Sequence, residues 1–368
     1  MRLISRVLAT SRVDRFQSNS RTRGFKGRSA GLMAIASSLS LTLLLTGLSR
    51  PALAQPYEVC GTPCSTWAAE ATTAPALAGP GTSEFLAWKG ESSNYVYYTY
   101  STGSAWANQA KVTDAMHTWY AETDVAPALA SFGPNYVLAW KGWNETAIWY
   151  AFSSAGAWSQ QASIPLPGAQ TSVAPALASS GGTVYLAWTT LTGGIEYITY
   201  RGGVWSTTPA TVPTGPGTAL APAVAVYNGQ DYFAWTTPSG NIQYQIYNEA
   251  TSSWLPAAGT VMIGTTPATT LAAPALTAGS VGPFLAWTTP SGDMYYANGS
   301  VSPWSGSPVP LLTGYTTATA PALTVTGSSG GCETTYQLFL AFTNNTNDAV
   351  WLDFVTSWTT YLKPPCTF

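Results

Sequence analysis

The chain has 368 residues, of which only 8% are charged, and its formal net charge is −2. The first 54 residues hold nine of the fourteen Lys and Arg residues and one of the sixteen acids, so five basic and fifteen acidic residues follow them. Because nucleic-acid binding depends on Lys and Arg that neutralise phosphates, a body this poor in cations excludes a nucleic-acid partner.

The first 54 residues have the pattern of an export leader. Basic residues surround an uncharged stretch at 30–49, and Ala52-Leu53-Ala54 matches a small-x-small cleavage signal. An uncleaved membrane anchor and an organelle transit peptide are the alternatives. Ser and Thr within the stretch, and cysteines after it, favour secretion. We expect a mature chain that begins near Gln55, is secreted or displayed at the cell surface, and has no membrane span after leader removal.

Six copies of one sequence repeat follow the predicted leader. Each copy has an Ala-Pro-Ala step, an apolar stretch ending in Ala-Trp (Ala-Phe in the last copy), a Tyr-rich stretch and a closing Trp, and the copies start near residues 74, 126, 174, 221, 273 and 320. In the second copy, residues 127–130, 136–140 and 147–152 predict three strands, and a fourth begins at Trp158. A repeat of about 50 residues with this content is typical of a β-propeller. We predict an all-β fold, a six-bladed β-propeller of four-stranded antiparallel blades spanning residues 71–368.

Packing between blades explains twelve of the recurrent aromatic residues, because tryptophan buries a large apolar area. They occupy the end of the second strand (Trp88, Trp140, Trp188, Trp235, Trp287 and Phe342) and the start of the fourth (Trp106, Trp158, Trp205, Trp254, Trp304 and Trp358). The tryptophans left over are Trp67, Trp119, Trp143, Trp149 and Trp351.

The four cysteines lie at the two ends of the repeat array: Cys60, Cys64, Cys332 and Cys366. Residues 55–70 therefore form a Cys-containing segment that we expect to close the ring. A bridge from Cys60 or Cys64 to Cys366 would join the ends covalently. Two local bridges, Cys60 to Cys64 and Cys332 to Cys366, are the alternative, since four cysteines allow three pairings.

The order of elements resembles the repeat of sialidase-type propellers, in which a proline-led strand precedes a strand ending in Ala-Trp and a strand ending in Tyr-x-x-Ser. The resemblance covers all six copies. That family has a Ser-x-Asp-x-Gly turn before the last Trp, and the matching turns here, at 101–105 and 153–157, lack the aspartate. Sialidases hold their substrate with three arginines, whereas Arg201 is the only arginine after the leader, so sialidase activity is not expected. The blade count resembles that of lectin-like six-bladed propellers that bind fucose with arginine and glutamate.

The loops after the second strands and the links between blades are expected to open on one rim. Blades one and two carry Lys-Gly after the tryptophan, and the link between them contains the single histidine. An aromatic face that stacks on a sugar ring, with polar groups beside it, would suit a carbohydrate. The alternative is a long link whose aromatics only cover the gap between blades. The candidate ligand-binding residues are Lys89, His117, Trp119, Tyr120, Glu122, Asp124, Lys141, Trp143, Asn144 and Glu145.

We interpret the chain as an exported, non-catalytic binding protein whose partner is a glycan or polysaccharide. A glycan-active hydrolase or lyase using two of Asp114, Glu122, Asp124 and Glu145 is one alternative, and a structural or adhesive surface protein is another. No catalytic residue is assigned. These carboxylates have no diagnostic spacing, and the sequence lacks a Gly-x-Ser-x-Gly motif whose serine could act as a nucleophile with His117 as its base. No cofactor is expected. Calcium bound by Asp114, Glu122 and Asp124 is the metal alternative, and the sequence supports it only weakly because the spacing matches no calcium loop.

Overall fold

A computed structural model of the chain describes residues 56–61, 67–79, 84–101, 105–154, 157–213, 217–299, 304, 308–312, 314–330 and 333–361. The predicted leader and the cysteines Cys64, Cys332 and Cys366 lie outside these residues, so export and the cysteine pairing stay predictions. Within the described ranges, we find no helical segment with the length and apolar character needed to cross a membrane.

The described residues form six small antiparallel sheets, which are the blades of a six-bladed β-propeller. Each of the first five blades is continuous in sequence. The strands in chain order are β1 (Tyr57–Glu58); in blade one β2 (Ala76–Ala78), β3 (Phe85–Lys89), β4 (Val96–Tyr100) and β5 (Ala110–Lys111); in blade two β6 (Ala128–Phe132), β7 (Asn135–Lys141), β8 (Ile148–Ser154), β9 (Ala157–Trp158) and β10 (Ala162–Ser163); and in blade three β11 (Ala176–Ser180), β12 (Thr183–Thr189), β13 (Ile195–Arg201), β14 (Val204–Trp205) and β15 (Ala210–Thr211).

The remaining strands are, in blade four, β16 (Ala223–Tyr227), β17 (Gln230–Thr236), β18 (Ile242–Asn248), β19 (Ser253–Trp254) and β20 (Gly259–Thr260); in a separate two-stranded pair, β21 (Met262–Ile263) and β22 (Thr266–Pro267); in blade five, β23 (Ala275–Gly279), β24 (Gly282–Thr288), β25 (Met294–Asn298) and β26 (Val309–Pro310); and in blade six, β27 (Ala322–Gly330), β28 (Glu333–Thr343) and β29 (Val350–Tyr361). In blades two to four the outer strand is broken into two short pieces, and both pair with the third strand.

Backbone hydrogen bonds close the ring. Strand β1 pairs antiparallel with β29, so a segment that precedes blade one in the sequence supplies the outer strand of blade six. The Val59 N–H extends this pairing by donating to Val350 O at 2.9 Å. The first and last blades are therefore held together by the same kind of strand ladder that holds each blade together.

The predicted alternation along the second strand is confirmed in blade two. Leu138 and Trp140 pack into the core between blades one and two, whereas Val137 and Ala139 pack into the core between blades two and three. Both faces of the sheet are therefore buried. The closing tryptophan of each of blades two to five reaches the preceding blade, as Trp158 does when it packs edge-on against Tyr98 at 5.6 Å.

The first strand of every blade lines a central channel with a volume of about 220 Å³. Alanine, leucine and proline dominate the lining. Small side chains suit this position because six strands converge here.

Candidate functional site

Hydrogen bonds place the blade links and the loops after the second strands on one rim, as the strand order predicts. In the link from blade one to blade two, the Thr123 N–H donates to Asn94 O in the loop of blade one at 2.8 Å. The next link repeats the contact from Thr171 to Thr146 O at 2.9 Å. We call the link 113–124 together with the loop 142–146 the candidate rim.

Trp119 is a packing residue of this rim. It is only 7% exposed, and its ring stacks on Trp140 at 6.0 Å with an interplanar angle of 9°. Trp67, which occupies the same place before blade one in a second Trp-x-Ala-Glu sequence, packs into the core that contains Trp88. The burial of Trp119 favours the alternative in which it covers the gap between blades, and ligand binding by Trp119 stays a prediction.

The lysines that follow the second-strand tryptophans are also buried. Lys141 Nζ donates to the carbonyl oxygens of Gly142 at 3.1 Å and Glu145 at 2.8 Å, and it lies 2.6 Å from Asp124 Oδ1. These contacts use all three N–H bonds of the ammonium. Lys89 is 9% exposed and donates to the carbonyl oxygen of the next residue at 3.1 Å. Each of these lysines holds its own loop, and ligand binding by Lys89 and Lys141 stays a prediction.

Blades three to six carry threonine at the position of these lysines. The hydroxyls of these threonines donate to a carbonyl oxygen of the following link at 2.7 to 2.9 Å. The donors are Thr189, Thr236, Thr288 and Thr343. In blades one and two, a long, buried lysine replaces the threonine and its hydrogen bond to the link. The rim therefore has a different local structure at these two blades.

The exposed link residues His117 and Tyr120 join Tyr95 and Lys111, which lie outside the link, in an aromatic and cationic cluster. Tyr120 stacks with His117 at 6.2 Å and meets Tyr95 edge-on at 5.5 Å. Lys111 Nζ lies 3.6 Å from the centre of the Tyr95 ring and 5.5 Å from that of Tyr120, which is a cation–π contact. His117 has a φ of 54°, in the left-handed region that turns the link. Tyr95 was not among the predicted site residues, although its position in the loop just before β4 was an available signal.

The loop of blade two presents the exposed indole of the site. Trp143 is 46% exposed, and every other tryptophan whose side chain the structure describes is buried or half-buried. Its backbone N–H donates to Glu122 O at 3.1 Å, which joins the loop to the link. Asn144 has a φ of 56°, a conformation that asparagine tolerates better than most residues.

The carboxylate of Glu145 folds back under the same loop. Its Oε1 accepts a hydrogen bond from Trp149 Nε1 at 2.5 Å. A Cβ atom on Gly142 would lie 1.9 Å from this oxygen, so the glycine of the Lys-Gly pair makes room for the carboxylate. The structure thus brings Glu122 and Asp124 of the link to the loop of blade two, whereas Tyr120 lies with His117 and Tyr95.

Two of the three carboxylates considered for calcium, those of Asp114 and Asp124, are engaged by other side chains or backbone groups. Asp114 accepts hydrogen bonds from the Thr118 N–H at 2.7 Å and from the Thr118 hydroxyl, and these bonds lower the pKa of Asp114. Asp124 faces Lys141. Within the part of the chain that the structure describes, no group of three or more His, Cys, Asp or Glu side chains could hold a metal ion.

Two neighbouring carboxylates, those of Asp231 and Glu249, lie where blades three and four pack together. Asp231 on β17 is 2% exposed, and its Oδ1 has no hydrogen-bond partner among the described residues. The Tyr185 hydroxyl donates to Glu249 Oε1 at 2.5 Å. Burial, with the charge and hydrogen bond of Glu249, raises the pKa of Asp231 to about 7. Asp231 is closed to a substrate. Sequence analysis missed it, although an acid within the apolar alternation of β17 was the signal.

No family model and no curated protein matches the chain. Solved structures match it through the fold. The fucose-specific lectin from Aleuria aurantia aligns with a TM-score of 0.54 at 12% identity, over 80% of this chain and 97% of the lectin chain. AofleA from Arthrobotrys oligospora aligns with a TM-score of 0.55 at 13% identity, over 86% of this chain and 94% of its own.

The sialidase of Trypanosoma rangeli aligns with a TM-score of 0.53 at 11% identity, over 78% of this chain and 55% of the sialidase chain. At such identities the likeness establishes the fold alone. This fold is the six-bladed β-propeller also described for the Aleuria aurantia lectin. The resemblance to sialidase-type and lectin-like propellers noted in the sequence is confirmed at that level.

Proposed function

We propose that the protein binds a carbohydrate, without catalysis, through the candidate rim of blades one and two. The observation that carries the proposal is the exposed indole of Trp143, on a loop that also carries Glu145 and is tied to Asp124 of the link through Lys141. A sugar offers an apolar ring face that stacks on an aromatic and hydroxyl groups that donate to carboxylates.

The exposure of Trp143 contrasts with the burial of the tryptophans that pack between blades, and this contrast supports the proposal. The tryptophans at the ends of the second strands are at most 1% exposed because they fill the gaps between blades. Packing leaves no such role for Trp143, which lies on a loop held by Lys141 and by the hydrogen bond to Glu122. An aromatic face held in place by buried contacts loses little conformational entropy on binding. The fucose lectins to which the chain is structurally similar are consistent with a glycan ligand.

A glycan array with the purified protein tests the proposal, followed by titration of the best ligand. We expect Trp143→Ala to weaken binding by about fivefold or more, because stacking on an aromatic ring contributes about 1 kcal/mol or more. Tyr100→Ala is the matched control, since Tyr100 is 44% exposed but ends β4 at the opposite rim. Absence of binding to every glycan, or equal affinity of the Trp143→Ala variant, would refute the proposed function.

Export is part of the same proposal. A basic segment, an uncharged stretch and Ala52-Leu53-Ala54 support a leader that is removed. N-terminal sequencing of the protein collected outside the producing cell should start near Gln55. Recovery of the full chain only inside the cell would contradict secretion.

A further inference from the structure

The cations near the candidate rim are committed to the protein itself. Lys141 has three acceptors, Lys89 donates to its own loop, and Lys111 lies against the ring of Tyr95. Arg201 ends β13, at the far rim of blade three. The described part of this rim therefore offers a ligand no uncommitted Lys or Arg side chain.

Carboxylates are in excess at the same place. Glu145 lies in the loop, Asp124 of the link contacts Lys141 at its base, and Glu122 of the link is joined to the loop by a backbone hydrogen bond; Asp124 and Glu145 are both exposed. Lys141 contacts Oδ1 of Asp124 and Trp149 contacts Oε1 of Glu145, so these contacts leave the second oxygen of each carboxylate unused. With one lysine against three acids, the base of the loop has a net negative charge.

This charge distribution discriminates between classes of sugar. A sialic acid, uronic acid or sulfated sugar would bring a second negative charge to Asp124 and Glu145, and no uncommitted Lys or Arg side chain in the described part of the rim offsets the repulsion. A protonated amino group would instead pair with a carboxylate and lie near the face of Trp143, where a cation–π contact adds to stacking.

We propose that the rim selects glycans built from hexosamines with a free amino group and rejects anionic glycans. This inference rests on the proposed function, because it assigns the ligand class of the same site. The amine should strengthen binding about fivefold to tenfold relative to the N-acetylated sugar, which is the size of one exposed charge pair at about 4 Å.

The test uses three probes at about pH 6, where a sugar amine is protonated. They are the β-1,4-linked tetrasaccharide of glucosamine, its fully N-acetylated counterpart and a sialylated lactose. We expect the amine tetrasaccharide to bind most tightly and the sialylated probe not to bind. The preference should shrink in about 1 M salt, because exposed charges are then screened within about 3 Å.

Glu145→Gln should reduce the ratio between the amine and N-acetyl affinities, since the glutamine can still accept from Trp149 but has no charge. Asp293→Asn is the control, because Asp293 is an exposed acid in the corresponding loop of blade five. Equal affinities for the amine and N-acetyl probes, or binding of the sialylated probe, would overturn the inference while the proposed function stands. Binding of no glycan at all would overturn both.

Discussion

Replacing Asp231 by asparagine should remove a pH dependence of stability that arises between blades three and four. Asp231 is buried next to Glu249, which also accepts a hydrogen bond from Tyr185. The titratable groups that face it are Glu249, Tyr185 and Tyr197, with Tyr247 on the neighbouring strand. Asparagine has the shape of the protonated acid and can donate to Glu249, so the interface should keep its geometry.

The sign and size of the effect follow from the pKa. The pKa of Asp231 is raised from 3.8 to about 7, so the folded state holds the proton more tightly than the unfolded chain. The stabilisation is complete below about pH 4 and is lost as the pH rises to about 7, where the folded protein must ionise a buried acid. A change of about three in pKa corresponds to about 4 kcal/mol, because each tenfold change in an equilibrium constant is about 1.4 kcal/mol.

The assay is urea unfolding followed by tryptophan fluorescence between about pH 4 and pH 8. The wild-type free energy of unfolding should fall relative to that of Asp231→Asn across this range, and the variant should be the more stable of the two above about pH 7. Asp293→Asn, a change at an exposed acid, should follow the wild type. If Asp231→Asn keeps the wild-type dependence on pH, the buried pair is not its source and the reasoning fails.

Two further substitutions separate packing from binding and measure the bridges between blades. Trp119→Ala removes a ring that is 7% exposed and stacked on Trp140, so it should cost about 3 to 5 kcal/mol of stability in thermal unfolding. Trp143→Ala should change stability by less than about 0.5 kcal/mol. Similar losses for both variants would contradict the assignment of Trp119 to packing and of Trp143 to binding. Thr236→Val deletes the hydrogen bond to Ala272 O at 2.8 Å and should cost about 1 kcal/mol, measured by urea unfolding, whereas no loss would mean that the bridge does not hold the blades.

Much of the fold could be predicted from the residues because each blade is a local pattern. The alternation of large and small residues along 136–140 fixed which residues face each neighbouring blade, and the structure agrees for Leu138 and Trp140. The broken outer strands of blades two to four were not predicted. Their pieces are two residues long, which is too short for a periodic signal.

The candidate site was predicted only in outline. The sequence singled out blades one and two by Lys-Gly and by the unusual link, but it treated Lys141, Trp119 and Trp143 alike as ligand-binding residues. Burial separates them, and burial depends on what a neighbouring blade places above each side chain. The pairing of Asp124 with Lys141 likewise joins residues 17 positions apart that only the fold makes neighbours.

The number of blades, the faces of their strands and the scarcity of cations could be read from the residues alone, because local periodicity and composition specify them. Only the folded chain shows that Trp143 is exposed while Trp119 is buried, that Lys141 is used internally, and that strand β1 completes blade six. These outcomes depend on contacts between distant segments, and a side chain is free to meet a ligand only after those contacts have been satisfied.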